Sequence, residues 1–180
     1  MANDVALLEA WRAGDRAAGE ALVLRHYASI LRFFRTKAGP EADDLAQRTF
    51  LRCAEAATRF RGEASVKSFL FGIARNVLLE HIRAHARDKN VDPDFGVSSI
   101  LDLNPRASTL AFRKAEQRRL VEALQQQPLE TQIVLELYYW EELSVDEVAQ
   151  VVEVPPGTVK SRLHRGRELL REVLSVPPPA

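Results

Sequence analysis

Residues 144–163 have the sequence SVDEVAQVVEVPPGTVKSRL, and this stretch decides the fold of the C-terminal half of the chain. Its first four residues have the spacing of a capping box, which opens a helix. Val148 and Val152 repeat at helical spacing, and Ala149 is small where two helices must cross closely. A second helix begins after the proline pair. The spacing predicts a helix-turn-helix, whose second helix can enter the DNA major groove.

The second helix of this pair is predicted to have a cationic outer face. At about 100° per residue, one stripe of the helix is apolar or small and is expected to be buried; it comprises Val159, Leu163, Gly166 and Leu170. From this geometry we expect three side chains to contact base edges, namely Ser161, His164 and Arg165. The side chains expected to contact phosphates are Thr158, Lys160, Arg162 and Arg167. The alternative is a helical hairpin whose basic face is merely solvated. Glu153 occupies the turn where a left-handed backbone favours glycine, so modest strain is expected there.

The composition is that of a globular protein of one ordinary domain or two small ones. The chain has 180 residues, of which 46% are hydrophobic and 28% charged. No apolar run is long enough to cross a bilayer, and the first residues lack the pattern of an export signal. The single cysteine, Cys53, cannot form an internal disulfide, which suits a reducing cytoplasm. The cysteine and four histidines offer no spaced zinc quartet. We therefore expect a cytoplasmic protein without membrane insertion.

The zero net charge is a cancellation between segments. Residues 59–89 carry seven basic and three acidic side chains, and residues 158–171 carry five basic and one acidic. Residues 128–157 hold seven acidic side chains and no basic one. Because phosphate attraction is local and screened beyond about 8 Å, two basic patches can still bind a polyanion.

Helical periodicity dominates, and no alternating strand of useful length is present. Helices are predicted near 4–13, 16–37, 41–57, 66–87, 105–126, 128–140, 144–152 and 157–174. Asn3 and Asp15 stand immediately before the first two helices, where N-caps are expected. The breaker-rich segment 89–104 is predicted to be a flexible linker. The expected fold is all-α, with two small helical domains at 1–88 and 105–175 and a disordered tail at 176–180.

The predicted helix 41–57 separates polar from apolar side chains. Its apolar side comprises Ala42, Ala46, Thr49, Phe50 and Cys53, and its polar side Asp43, Asp44, Gln47 and Arg48. A partly acidic helix face usually contacts only solvent, so the polar side alone does not establish a partner.

Cations and aromatic rings alternate over residues 59–71, a mixture that holds single-stranded nucleic acid by stacking and phosphate contacts. The candidate contacts in this part of the chain are Arg61, Lys67, Phe69, Arg75, Asn76 and Arg83. The alternatives are that Phe60, Phe69 and Phe71 belong to the core and that Asn76 is solvated. His81 and His85 stand at i, i+4, but with no HExxH motif and no third ligand we predict no metal site.

Two long segments resemble a known family. Residues 43–87 are DDLAQRTFLRCAEAATRFRGEASVKSFLFGIARNVLLEHIRAHAR, and residues 127–170 are QPLETQIVLELYYWEELSVDEVAQVVEVPPGTVKSRLHRGRELL. Both are similar to the two defining parts of bacterial RNA polymerase sigma factors. The chain length and short linker resemble the extracytoplasmic-function (ECF) type, which keeps only regions two and four.

The resemblance implies a role for each segment. The helix matching 41–57 would dock on the clamp helices of the largest polymerase subunit, and residues 158–167 would read the −35 element. Residues 60–76 would melt the −10 element and capture a flipped base near Asn76. From its charge, we further expect the acidic region 128–153 to face the polymerase flap.

Two residues depart from the family pattern. Arg48 stands where the family usually has glutamate, which puts the details of polymerase docking in doubt. Cys53 occupies a place often held by tryptophan and is interpreted as a small core residue.

The leading hypothesis is an alternative sigma factor: a specificity subunit without catalytic activity or cofactor, bound to core polymerase and to duplex and melted promoter DNA. Many relatives are held inactive by an anti-sigma protein, which makes an anti-sigma factor a further candidate partner. One alternative is an ordinary DNA-binding regulator in which residues 1–90 form a protein-interaction module. Another is a metal-dependent hydrolase built on the histidines.

Overall fold

The protein is described here by a computed structural model that covers three stretches of the chain, residues 3–62, 64–88 and 121–175. These stretches contain helices and turns but no strand, which confirms the all-α prediction. The chain divides into two compact units, Met1–Gly96 and Val97–Ala180. The predicted linker and tail lie outside the described residues, so the proposed domain boundaries stay predictions. None of the described helices is long and apolar enough to span a bilayer.

The N-terminal unit has four α-helices. They are α1 (Asp4–Arg12), α2 (Arg16–Ala38), α3 (Ala42–Ala56) and α4 (Val66–Asp88). The predicted caps are present: Asn3 accepts a hydrogen bond from the backbone N–H of Ala6 at 2.8 Å, and Asp15 caps α2 in the same way. Gly39 ends α2 with φ 52°, a conformation that glycine adopts without strain.

Apolar side chains from all four helices fill the core of this unit. The fully buried ones include Leu8, Leu22, Ile30, Phe34, Leu45, Leu70, Phe71 and Leu78. Phe71 packs edge-on against Phe33 with the ring centroids 5.7 Å apart, which ties α4 to α2. A core position was the alternative for Phe60, Phe69 and Phe71, and Phe71 is therefore a core residue.

The helix α3 turns its small and apolar side inward, as predicted. The buried residues of its predicted apolar side are Ala42, Ala46, Thr49, Phe50 and Cys53. The Thr49 hydroxyl donates to the carbonyl oxygen of Leu45 at 2.8 Å, so its buried polar group is satisfied within the helix. Because several of these side chains are small, α3 lies close to its neighbours, and its opposite side faces solvent.

The C-terminal unit is built from α5 (Leu129–Tyr139), α6 (Val145–Val152) and α7 (Pro156–Ser175), preceded by helical residues 121–125. The rest of the predicted helix 105–126 lies outside the described residues. Gln132 is fully buried, and its side-chain amide donates to the carbonyl oxygens of Gln127 at 2.7 Å and Gln125 at 3.2 Å. This side chain therefore closes the end of the preceding helix and holds it against α5.

Cys53 is enclosed by the core of the N-terminal unit. Burial raises the pKa of its thiol to about 12. Because the thiolate is the reactive form, the folded protein should keep this sulfur inert at neutral pH.

We therefore expect the native protein to resist modification by a thiol-specific reagent such as DTNB at pH 8, and the urea-unfolded protein to react at once with one equivalent. Absorbance at the thionitrobenzoate band measures both rates. Rapid labelling of the native protein would show that Cys53 is accessible.

Candidate nucleic-acid interface

Local hydrogen bonds define both ends of α6. At its start, Ser144 and Glu147 form the predicted capping box, with the Ser144 N–H donating to the Glu147 carboxylate at 2.9 Å. A non-glycine residue with positive φ, Glu142 at 55°, precedes α6 and was not predicted. At its end, Glu153 adopts the left-handed conformation at φ 56°, as the sequence predicted, and its N–H donates to the carbonyl of Ala149. This bond closes the turn that leads into α7.

The inner side of α7 packs tightly against the rest of the C-terminal unit. Val159 and Leu163 are buried, as predicted, and Leu170 is only half-buried. Gly166 lies against α5 so closely that a Cβ atom at this position would stand 2.7 Å from Cδ1 of Leu135. The rotation of α7 about its own axis is thus determined by packing.

The outer side of α7 presents the predicted cations to solvent. Five of the seven predicted DNA-contact residues are exposed, namely Lys160, Ser161, His164, Arg165 and Arg167, and Thr158 is half-exposed. The Ser161 hydroxyl donates to the Thr158 carbonyl at 3.0 Å. The acidic residue at the end of this face, Glu168, is paired with Arg171 at 2.8 Å. The face that carries the cations is therefore open along two turns of the helix.

Arg162 has a different environment from its neighbours. It is half-buried, and its guanidinium donates to the carboxylate of Glu130 on α5 at 3.2 Å. This ion pair joins α7 to α5, so Arg162 helps to position α7. Sequence spacing alone could not distinguish this role from a phosphate contact.

The outer side of α3 is mostly polar. Asp43, Asp44, Gln47 and Arg48 are all exposed, as predicted. The carboxylate of Asp43 accepts a hydrogen bond from the Tyr27 hydroxyl at 3.1 Å; burial and this bond raise the pKa of Tyr27 above its ordinary value.

Leu51 was missed by the sequence reasoning. It lies seven residues after Asp44, hence on the same side of α3, and its surface is 66% exposed. An exposed leucine among polar side chains is the signal that could have found it. We call the surface formed by Asp43, Asp44, Gln47, Arg48 and Leu51 the α3 face.

Along α4, the candidate DNA contacts fall into two sets. Phe69, Asn76 and Arg83 repeat every seven residues and so lie along one stripe of the helix. Asn76 and Arg83 are exposed, and the half-buried Phe69 ring packs on Phe60 with centroids 5.2 Å apart.

The remaining candidates lie off this stripe. Arg61 is exposed in the segment before α4, whereas Lys67 and Arg75 are half-buried on other sides of the helix. Within the described residues, no group of three or more His, Cys, Asp or Glu side chains is placed to hold a metal ion.

Comparison with known proteins identifies the family. Two family models match, sigma-70 region 2 over residues 22–88 and sigma-70 region 4 over residues 117–170. The RNA polymerase sigma-H factor of Pseudomonas aeruginosa is 32% identical over 185 residues, covering 96% of this chain and 94% of that protein. The ECF RNA polymerase sigma factor SigW of Bacillus subtilis is 30% identical over 141 residues, covering 74% and 75%. The chain belongs to the ECF RNA polymerase sigma factors.

Two solved structures share the fold of this sigma factor. CnrH, solved in complex with the cytosolic domain of CnrY, has a TM-score of 0.69 at 21% identity, covering 95% of this chain and 96% of that chain. The sigma factor RpoE of Bartonella quintana, solved with the anti-sigma factor NepR, has a TM-score of 0.69 at 20% identity, covering 88% and 98%.

The family matches locate the three candidate surfaces in the two regions of this sigma factor. The α3 face and the stripe on α4 lie in region 2, and the cationic side of α7 lies in region 4. Sigma factors are specificity subunits of RNA polymerase, and this chain is one of them.

The close approach at Gly166 gives a stability prediction. Gly166→Ala should destabilise the C-terminal unit by about 1–3 kcal/mol, because the new methyl group must displace Leu135. Gly157→Ala on the same helix is the matched control: its Cβ meets nothing within 4 Å, and it should be neutral or stabilising by about 0.5–1 kcal/mol. Urea unfolding followed by circular dichroism measures both. Equal stability of the two variants would contradict the tight crossing.

Proposed function

We propose that this sigma factor grips its promoter with two separate surfaces, using α7 on the −35 duplex and the α4 stripe on the melted −10 element. The α3 face docks the protein on the clamp helices of the largest polymerase subunit. The observation that carries the proposal is the outer side of α7, where Lys160, His164 and Arg165 are exposed together while the inner side is held by packing.

For the −35 element, exposed side chains near the start of α7 are placed to reach base edges. Arg165 can form a bidentate contact to guanine, and Ser161 and His164 can donate to or accept from neighbouring bases. Thr158, Lys160 and Arg167 flank them and suit phosphate contacts, which orient the helix without reading sequence. Arg162, held by Glu130, positions α7 and presents its remaining N–H groups at the edge of this surface.

For the −10 element, rings and cations meet near the beginning of α4. The paired rings of Phe60 and Phe69 offer a stacking surface for an unpaired base, and Arg61 and Lys67 lie next to them in the chain. Extruding a base costs a few kcal/mol, which stacking and a capture pocket near Asn76 would offset. Arg75 and Arg83 extend the basic character along the helix toward the neighbouring duplex.

For the polymerase, the α3 face combines charges with one apolar anchor. Asp43, Asp44 and Gln47 offer hydrogen-bond acceptors or donors, and Leu51 supplies exposed apolar area at the C-terminal end of the face. The acidic region 128–153 is proposed to face the polymerase flap and to keep the rest of region 4 off the DNA backbone. Because two weak DNA contacts belong to one chain, the second forms at a high effective concentration.

Several properties follow from this role. The chain itself needs no catalytic residue or cofactor, since polymerase performs the chemistry, and it acts where polymerase and DNA are, in the cytoplasm. An anti-sigma factor is a proposed partner, supported by the fold that the chain shares with RpoE of Bartonella quintana, which was solved in complex with NepR.

Transcription tests the proposal directly. Added to core polymerase that lacks any sigma factor, the protein should start run-off transcripts from a cognate promoter selected from a library. Arg165→Ala should relax the preference at one −35 base pair by about 1–3 kcal/mol, while Arg171→Ala further along α7 should leave it unchanged. An unaltered preference in the Arg165 variant would remove that base contact. A requirement for a second sigma factor would indicate a regulator.

Leu51→Asp tests the docking surface. Placing a charge on the apolar anchor should weaken binding to core polymerase by at least tenfold, because hot-spot side chains contribute about 2 kcal/mol or more. Leu24→Asp on α2 is the matched control, since Leu24 is 80% exposed and lies outside the α3 face. Biolayer interferometry on immobilised core polymerase measures both. Equal losses in the two variants would place docking elsewhere.

A further inference from the structure

A basic groove runs between α3 and α4 beside the α3 face. Its volume is about 610 Å³, and it contains four arginines, one glutamate and two histidines. The lining side chains are Arg48, Arg52, Val77, Glu80, His81, Arg83, Ala84, His85 and Arg87. We call it the arginine groove. Arg83 is also a proposed −10 contact and Arg48 belongs to the α3 face; the other residues of the groove have no partner assigned above.

Two of the four arginines of the arginine groove are paired with carboxylates of this chain. Glu80 accepts two hydrogen bonds from the Arg52 guanidinium, at 2.8 and 2.6 Å, in the fork geometry that arginine forms with carboxylates. Asp44, beside the groove, is paired with Arg48 at 2.8 Å across one turn of α3.

Two histidines lie at one end of the groove. The rings of His81 and His85 pack with their centroids 4.2 Å apart, and Glu41 lies 3.8 Å from His85. Burial, followed by the neighbouring His85, lowers the pKa of His81 below its ordinary value. The permanent positive charge of the groove comes from its arginines.

The signs of the charges favour a protein over DNA as the occupant. Glu80 lines the groove, and Asp44 and Glu41 lie beside it, 2.8 Å from Arg48 and 3.8 Å from His85, so a uniform line of phosphates would pass near three carboxylates. A protein segment can place its own acids against the arginines and leave other positions neutral. Arg87 and, in the absence of promoter DNA, Arg83 are the exposed cations that such acids can reach.

Arg48 connects the groove to the α3 face. It lines the groove and also stands on that face, with 59% of its side chain exposed. Whatever protein covers the α3 face must lie over Arg48 and therefore reaches the opening of the groove.

We propose that the arginine groove receives an acidic segment of the same polymerase subunit that docks on the α3 face, with Arg48 shared by both contacts. The inference rests on the proposed docking of α3 and adds the location and charge of a second contact. It also gives Arg48 a function: a cation at this position suits a partner that brings a carboxylate.

Binding without DNA tests the location of this contact. Arg83→Glu/Arg87→Glu should weaken the affinity for core polymerase about tenfold at low salt and less at high salt, because exposed charge pairs are screened. Arg12→Glu/Arg16→Glu makes the same change in net charge at exposed positions outside the groove, and should have little effect. Full-length variants are compared by biolayer interferometry on immobilised core polymerase.

Zero-length crosslinking tests the charge of the partner. Arg83→Lys and Arg87→Lys keep the cation and the fold but supply an amine that a carbodiimide couples to a carboxylate in direct contact. We expect a crosslink from either lysine to an aspartate or glutamate of the polymerase, mapped by mass spectrometry, and none from Arg16→Lys. Polymerase binding by both lysine variants without such a crosslink would overturn the inference.

The outcomes separate this inference from the proposed function. If Leu51→Asp weakens polymerase binding while Arg83→Glu/Arg87→Glu does not, docking on α3 stands and the arginine groove is not part of it. If the groove variant lowers only DNA binding by the assembled holoenzyme, the occupant is DNA and the inference is wrong. If neither variant affects core binding, the proposed docking surface itself fails.

Discussion

The crossing of α7 over α5 is the constraint on which the DNA-binding half of the molecule depends. Gly166 leaves no room for a Cβ atom beside Leu135, and Val159 and Leu163 are buried on the same side of α7 in the preceding turns. A helix held this way cannot rotate, so its outer residues have a fixed direction. The Arg162–Glu130 pair adds a polar link between the same two helices. Exposure of Lys160, His164 and Arg165 is thus a consequence of packing, and sequence-specific contacts require that precision.

In the N-terminal unit, too, one side of a helix packs against its neighbours while the other side is left exposed. Ala46, Thr49 and Cys53 bring α3 close to its neighbours and leave its other side to partners. Charges that cancel over the whole chain are concentrated on particular faces by this arrangement, since Arg83 and Arg87 of α4 and Arg165 and Arg167 of α7 are exposed on their own units. A neutral protein can therefore carry two basic surfaces and an acidic region without contradiction.

Much of this could be predicted from the sequence, because helix signals are local. Asn3, Asp15 and Ser144 cap the helices they were expected to cap, and Glu153 takes the left-handed conformation at the turn. Contacts between distant parts of the chain could not be predicted. Arg162 has the spacing of a phosphate contact, and only the fold brings Glu130 beside it. Leu51 was not predicted to be exposed because a leucine in an amphipathic helix is ordinarily buried. The arginine groove was not predicted because it is formed by residues of α3 and α4 that are about 35 positions apart in the sequence.

Mapping where each surface meets the promoter tests the central claim most directly. Single cysteines at Glu168→Cys on α7 and Gly72→Cys on α4 can carry a hydroxyl-radical-generating reagent, since Cys53 is enclosed and a Cβ at Gly72 meets nothing within 4 Å. In the polymerase–promoter complex, the α7 probe should cleave both strands of the −35 duplex and the α4 probe the opened strand near −10. Cleavage by both probes in one region, or none above the unsubstituted protein, would contradict the account.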